Sequence, residues 1–311
     1  MGIVRTVLGD VDSSVLGYTL PHEHIFFAPD GKTVVDDWTL NEWDKSLQMV
    51  QEFKDDGGGC LVDACWCLEC GRSAAELAEV SRVTGVHIIA CTGTLGDDNM
   101  PERLTKMDVD ELAAYYVHEV EVGMDGTAIK AGWIKGSSSY MHMTQWEEKQ
   151  LRAACRAAKK TGVPVHTHTT IGTYWQEQLE LVAEEGLPFT QFGIAHIDRN
   201  PDYWVHKQIC KTGAYLIYDG PGKVKYYPDS MRVDILKKLV EDGYEKQIMI
   251  CNDTGKREYH KAYGGAVGTG FNWIRHRFLP RLLDEGFSQE TIDNFMIHNP
   301  ARFYSLREKQ L

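Results

Sequence analysis

Eight short apolar runs, each followed by an amphipathic stretch, set the strongest limit on what this chain can become. The runs fall at 15–24, 60–64, 86–92, 128–135, 163–168, 192–196, 214–219 and 247–253. Each is short and apolar, which predicts a strand. Helical patterning predicts helices at 40–55, 73–83, 109–122, 144–160, 174–185, 202–212, 231–242, 272–284 and 289–297. Ser73 and Thr144 open two of these as N-caps, with Glu76 and Glu147 three residues on to complete capping boxes. Strands alternating with helices build parallel βαβ units. A count of eight favours a closed (β/α)8 TIM barrel of the α/β class over an open doubly wound sheet. No Gly-x-Gly-x-x-Gly turn follows the first strand, which counts against a dinucleotide fold. No linker or low-complexity segment divides the chain, so residues 1–311 read as one domain.

Charge narrows the function. The formal net charge is -12, and phosphate backbones and anionic membranes are bound by clustered Lys and Arg, so neither nucleic acid nor membrane is the expected partner. No apolar run is long enough to span a bilayer, and the N-terminus lacks the layout of a signal peptide. The expectation is a cytoplasmic protein acting on a small-molecule substrate. Eight cysteines without an export signal read as thiols in a reducing compartment. Cys60, Cys65, Cys67 and Cys70 cluster, but their irregular spacing and the lack of a second knuckle make structural zinc the lesser reading.

In such barrels chemistry gathers where the strands end. The strand ends carry His22-Glu23-His24, Lys135, His168, His196 and Asp253. Alternate strand residues share a face, so His22 and His24 point inward together while Glu23 points away. Two imidazoles on one face chelate a divalent metal. By the same parity His166 lies one layer below His168, hydrogen-bonded rather than ligating, and Lys130 faces opposite to Lys135. A lysine ending a buried strand is costly unless it is paired or used chemically. As a neutral amine Lys135 can take up carbon dioxide, and the resulting carbamate can bridge two cations about 3.5–4 Å apart. The two cations would share a hydroxide, with Asp253 holding one of them and taking up the proton.

These residues fall in longer motifs: Thr19-Leu-Pro-His-Glu-His24, Gly71-Arg72-Ser73, Ile129-Lys-Ala-Gly-Trp-Ile-Lys135, Thr161-Gly-Val-Pro-Val-His-Thr-His168, Ile194-Ala-His-Ile-Asp-Arg199, Ile250-Cys-Asn-Asp253 and Asn299-Pro-Ala-Arg-Phe303. Over nearly its whole length the chain resembles the phosphotriesterase family of the amidohydrolase superfamily. The resemblance implies that His22, His24 and Asp253 bind a buried metal, that His168 and His196 bind a more exposed one, and that carbamylated Lys135 bridges both. It also implies zinc or another divalent transition ion, hydrolysis of phosphotriesters, lactones and other ester or amide bonds, and a homodimer. Leu95 stands where the family's quorum-signal lactonases carry tyrosine, and Tyr218-Asp-Gly-Pro221 where they carry arginine, which counts against that activity.

Specificity is expected from loops 223–229 and 256–270, which bring Lys223, Lys225, Lys256 and Arg257 and suit an anionic substrate. Family members acting on phosphorylated sugar lactones have a similar loop pattern. Trp66, Trp133, Tyr140 and Tyr227 are candidates for the pocket wall, with core packing as the competing role. The resulting expectation is a binuclear metal-dependent hydrolase of an ester-type bond. An amide or carbamate hydrolase with the same site, and a non-catalytic metal-stabilised barrel, are the alternatives.

Overall fold

The computed structural model describes residues 2–29, 36–96, 101–266 and 270–310. An antiparallel hairpin of β1 (Ile3–Thr6) and β2 (Gly9–Asp12) precedes the barrel. Its second strand, Gly-Asp-Val-Asp, sets one β-branched residue among Gly and Asp, which are depleted in strands, so it does not read as one in sequence. The barrel strands are β3 (Thr19–Glu23), β4 (Cys60–Asp63), β5 (His87–Ile89), β6 (Cys91–Gly93), β7 (Trp133–Ser138), β8 (Val165–Thr169), β9 (Phe192–Ala195), β10 (Tyr215–Tyr218) and β11 (Ile248–Ile250). β5 and β6 are one barrel position divided at Ala90.

All neighbours in the barrel pair in parallel, as β3-β4-β5 and as β6-β7-β8-β9-β10-β11, with helices in the crossovers. The strands are buried on both faces, which explains why they read as nearly continuous apolar runs. Among the described residues the ladder is open between β11 and β3. There the backbone bond from Asp253 N to His22 O (3.3 Å) and the buried carboxylate of Glu23 join the two ends.

Three sequence expectations change. The run 128–135 is not a strand throughout. Met124 N bonds to Ile129 O, and Ala131 N bonds to Glu119 O in the helix Val109–Glu121, so Ile129 and Ala131 pair with that helix and its turn, and pairing with the barrel wall starts only at Gly132 N, which bonds to Ala90 O (2.8 Å). The strand begins at Trp133 and runs past Lys135, so Lys135 is its third residue; Lys130 lies outside it, half-buried. Thr144 and Glu147 form both halves of a capping box, whereas Ser73 Oγ accepts from Glu76 N (3.4 Å) without the reciprocal bond. The two last expected helices contain π turns, Ile274–Phe278 and Asn294–His298, which periodicity of 3.6 does not reveal. No helix among the described residues is long and apolar enough to cross a membrane.

A buried ion cluster braces the wall behind the barrel mouth. Arg72 is wholly buried; its guanidinium bonds Glu119 Oε1 and Asp125 Oδ1 (both 2.6 Å) and the carbonyls of Trp66 (2.8 Å) and Cys91 (2.9 Å). It thereby ties the loop after β4 to β6 and to the helix Val109–Glu121. Removing one member of such a cluster strands buried charge. Arg72→Ala is expected to destabilise the fold by about 3–5 kcal/mol in urea unfolding, while Arg82→Ala, an exposed partner of Glu79, changes it by about 0.5 kcal/mol or less.

Candidate active site

The carboxyl ends of the strands deliver the expected side chains to one mouth. His22, His24, Lys135, His168, His196 and Asp253 all line a cavity of about 170 Å³. Chemistry rather than size singles it out. A cleft of about 300 Å³ beside Phe271 and Trp273 is larger, but among the described residues no three metal donors converge there.

His22 lies in β3 and His24 just beyond it. His196 and Asp253 follow the ends of β9 and β11 with φ of 62° and 51°. A non-glycine residue in this left-handed region costs about 1–3 kcal/mol, and persists only where its surroundings hold it. Donor atoms of His22, His24 and Asp253 lie within 4.8 Å of one another, and so do those of His196, Asp219 and Asp253. Asp253 is common to both groups.

Hydrogen bonding fixes the tautomer of His22. Tyr304 donates its only O–H to Pro21 O (2.8 Å), so its oxygen accepts from His166 Nδ1 at 3.1 Å. Neutral His166 therefore has a bare Nε2, which accepts from His22 Nδ1 at 3.0 Å. That leaves a lone pair on His22 Nε2, facing Asp253 Oδ1 at 3.6 Å. Two acceptors meeting without a proton between them fit a cation's ligands. Burial lowers the pKa of His22, His24, His166, His168 and His196, keeping all five imidazoles neutral. The role expected for His166, a hydrogen-bonded residue beneath the ligands, matches its position.

Burial alone would raise the pKa of Asp253, but Lys223 and His24 outweigh it and hold the carboxyl well below its ordinary value. Lys223 Nζ donates to Asp253 O (2.7 Å) and Oδ2 (3.2 Å), and Arg199 Nη2 donates to Oδ2 (2.8 Å). Lys135 is buried; its Nζ donates to Ala64 O (3.0 Å) and lies 4.7 Å from the centre of the Trp66 ring. Desolvation lowers its pKa from the usual amine value, which raises the share of reactive neutral amine.

Other residues enter that the sequence reading passed over. Asp219 Oδ2 lies 2.6 Å from His196 Nδ1 and accepts from His196 N at 2.7 Å, while Oδ1 takes Arg199 Nη2 at 2.9 Å. It sits one residue beyond β10, where the strand-end rule that found Asp253 would also have found it. His168 contacts His196, ring centres 4.3 Å apart, but does not belong to either compact donor group. Of the expected aromatic wall only Trp66 lines the cavity. Trp133 packs in the core against His166, Tyr140 is exposed, and Tyr227 stacks on Arg232. Tyr226, Tyr259 and Trp38 line the cavity instead. Lys223, Lys225 and Lys256 also line it, whereas Arg257 turns away to Glu42 (2.8 Å) and Thr39 O (2.7 Å). The cysteines expected as thiols are all buried, and Cys60, Cys65, Cys67 and Cys70 do not form a metal-holding group.

The Tyr304 relay is testable by itself. Tyr304→Phe keeps the ring and removes the hydroxyl that sets the His166 tautomer. Metal affinity, titrated against a competing chelator, is expected to fall about 10–100-fold with the far-UV circular dichroism unchanged.

Comparison with known proteins agrees with this geometry. The model of the phosphotriesterase family matches residues 2–304. The chain is 33% identical over 289 residues to the phosphotriesterase homology protein of Escherichia coli (strain K12), covering 93% of this chain and 98% of that protein. It is 33% identical over 328 residues to a phospho-furanose lactonase of Mycoplasmopsis synoviae (strain 53), covering 98% and 92%. The crystal structure of the lactonase Lmo2620 from Listeria monocytogenes superposes with a TM-score of 0.92 at 36% identity, covering 98% of this chain and all of that one. The barrel, the paired donor groups and these full-length likenesses have one explanation: the chain belongs to the phosphotriesterase family and is a hydrolase.

Proposed function

We propose that this protein hydrolyses a lactone bearing an anionic group, with a phosphorylated sugar lactone as the best-fitting class. The observation that carries the reading is the cation-lined half of the cavity. In a chain of net charge -12, Lys223, Lys225, Lys256 and Arg199 face the same space as the histidines. Among the described residues no carboxylate pairs with Lys225, which lies 5.1 Å from the Tyr226 ring centre. Lys223 and Arg199 are already bonded to Asp253, and Lys256 to Asp37 (3.1 Å), so Lys225 is the cation of the four left to attract an anion. The names of two relatives, a phospho-furanose lactonase and a lactonase, point the same way.

In this reading His22, His24 and Asp253 would hold one divalent cation, His168 and His196 would hold a second, and carbamylated Lys135 would serve both. Zinc is the expected metal. When bound, the pair would acidify a water and polarise the scissile carbonyl. Lys135 reaches its bridging form by adding its neutral Nζ to carbon dioxide: an N–C bond forms, an N–H proton leaves, and a carbamate anion results. Asp219 holds the His196 main chain by accepting its N–H (2.7 Å) and sets a carboxylate oxygen 2.6 Å from the ring Nδ1. Asp253 takes the proton released in the attack and passes it to the alkoxide oxygen as the ring C–O bond breaks. Lys223 and Arg199 keep Asp253 ionised beforehand; a substrate anion drawing Lys223 away would leave Arg199 as the one cation on Oδ2 and make the carboxylate a stronger base. Leu95, Trp66 and Tyr226 form the wall against the sugar.

Two measurements check the reading. Lys135→Ala is expected to bind less than two metal equivalents and lose turnover, with partial recovery when a short carboxylic acid is supplied; full occupancy and an unchanged rate would remove the bridging role. Lys225→Met is expected to raise KM for a phosphorylated lactone by about tenfold or more, the worth of one charged hydrogen bond, while kcat and the unphosphorylated analogue stay nearly unchanged. Equal loss on both substrates would count against an anion subsite.

A further inference from the structure

We propose that Glu23 is a positioning residue, whose carboxylate sets the direction from which Asp253 enters the mouth. The proposal rests on the reading of Asp253 as a metal donor given above. Glu23 lies on β3 between His22 and His24 and is wholly buried. Its Oε1 accepts from Asn252 N at 2.9 Å. Its Oε2 accepts from Thr254 N at 2.9 Å and from Thr254 Oγ1 at 2.5 Å. One carboxylate thus grips the main chain on both sides of Asp253.

This grip falls where regular pairing stops. Among the described residues β11 and β3 share no ladder, and a single long backbone bond, Asp253 N to His22 O (3.3 Å), ties the main chain of residue 253 to β3. Its backbone is left-handed, a conformation that a residue with a Cβ keeps only when anchored. The anchor comes from the strand that supplies the two imidazoles it must meet: His22 Nε2 and His24 Nε2 stand 3.6 and 3.4 Å from Asp253 Oδ1. The main chain of Glu23 extends the linkage, because Ala64 N donates to Glu23 O (2.8 Å) and Ala64 O accepts from Lys135 Nζ (3.0 Å). Glu23 therefore connects donors from β3, β7 and the end of β11 without facing the substrate.

An ionised carboxylate is the side chain that fits, since it accepts on both oxygens. Glutamine keeps the shape but offers one acceptor and turns an NH2 donor toward a backbone N–H. The 311-residue chain is loaded with Co2+, and affinity and visible absorption are compared among the parent, Glu23→Gln, Thr254→Val and Asp253→Asn. Glu23→Gln is expected to keep its far-UV spectrum, to bind Co2+ about tenfold or more weakly, and to shift the Co2+ absorption band. Thr254→Val, which removes only the hydroxyl bond, is expected to shift the same band less. Parental affinity and spectrum in Glu23→Gln, with affinity lost in Asp253→Asn, overturn the positioning role and leave the site intact. Parental affinity in Asp253→Asn overturns the reading of the site and this proposal with it. Should Glu23→Gln fail to fold, an unmoved band in Thr254→Val overturns the proposal.

Discussion

An ionised Asp253, its side chain 19% exposed at the barrel mouth, is the demand that the surrounding structure answers. A buried carboxylate is tolerated only when opposite charge and hydrogen-bond donors reach it. Arg199 and Lys223 reach its Oδ2, and two neutral imidazoles face its Oδ1. Backbone strain, the open seam and the placing of the histidines all meet at this residue. Its neighbours on the chain are held as firmly as its side chain, through Glu23.

The support is nested. Asp198, buried beneath the mouth, accepts from Asp219 N (3.2 Å), Gly220 N (2.9 Å) and Arg232 Nε (2.8 Å). Asp219 in turn holds His196 and Arg199. Asp198 and Asp219 thus each have a cation and backbone donors, Arg232 with the Asp219 and Gly220 N–H groups for the first and Arg199 with the His196 N–H for the second. On the opposite wall Arg72 plays the same part for Glu119 and Asp125, and bonds the carbonyl of Trp66, whose ring centre lies 4.7 Å from Lys135 Nζ. Rigid ionic bracing outside the mouth leaves the histidine lone pairs as the groups still open to a ligand.

What sequence made legible follows from periodicity. His22 and His24 share a face because a strand repeats every two residues, and His166 lies beneath His168 for the same reason. The strand-end rule reached Lys135, His168, His196 and Asp253 even where the strand limits shifted by several residues. It placed the start of the Lys135 strand too early, because the partner of the Ala131 amide is the carbonyl of Glu119 near a helix end, distant in pattern though close in space. Arg199 and Glu23 looked ordinary for another reason. Their importance lies in bonds to residues 54 and about 230 positions away, and no local spacing encodes such a partner.

The sequence by itself determined the strand and helix alternation, the (β/α)8 architecture and the set of donors at the strand ends, because these depend on short-range periodicity and on residue chemistry. Only the tertiary structure decided that Asp219 stands behind His196, that the His22 lone pair faces Asp253, that Tyr226 and Tyr259 rather than Trp133 and Tyr140 form the wall, and that a glutamate spans the seam. Those are matters of distance and direction between segments far apart in the chain, and they exist only once the apolar runs have closed around a common core.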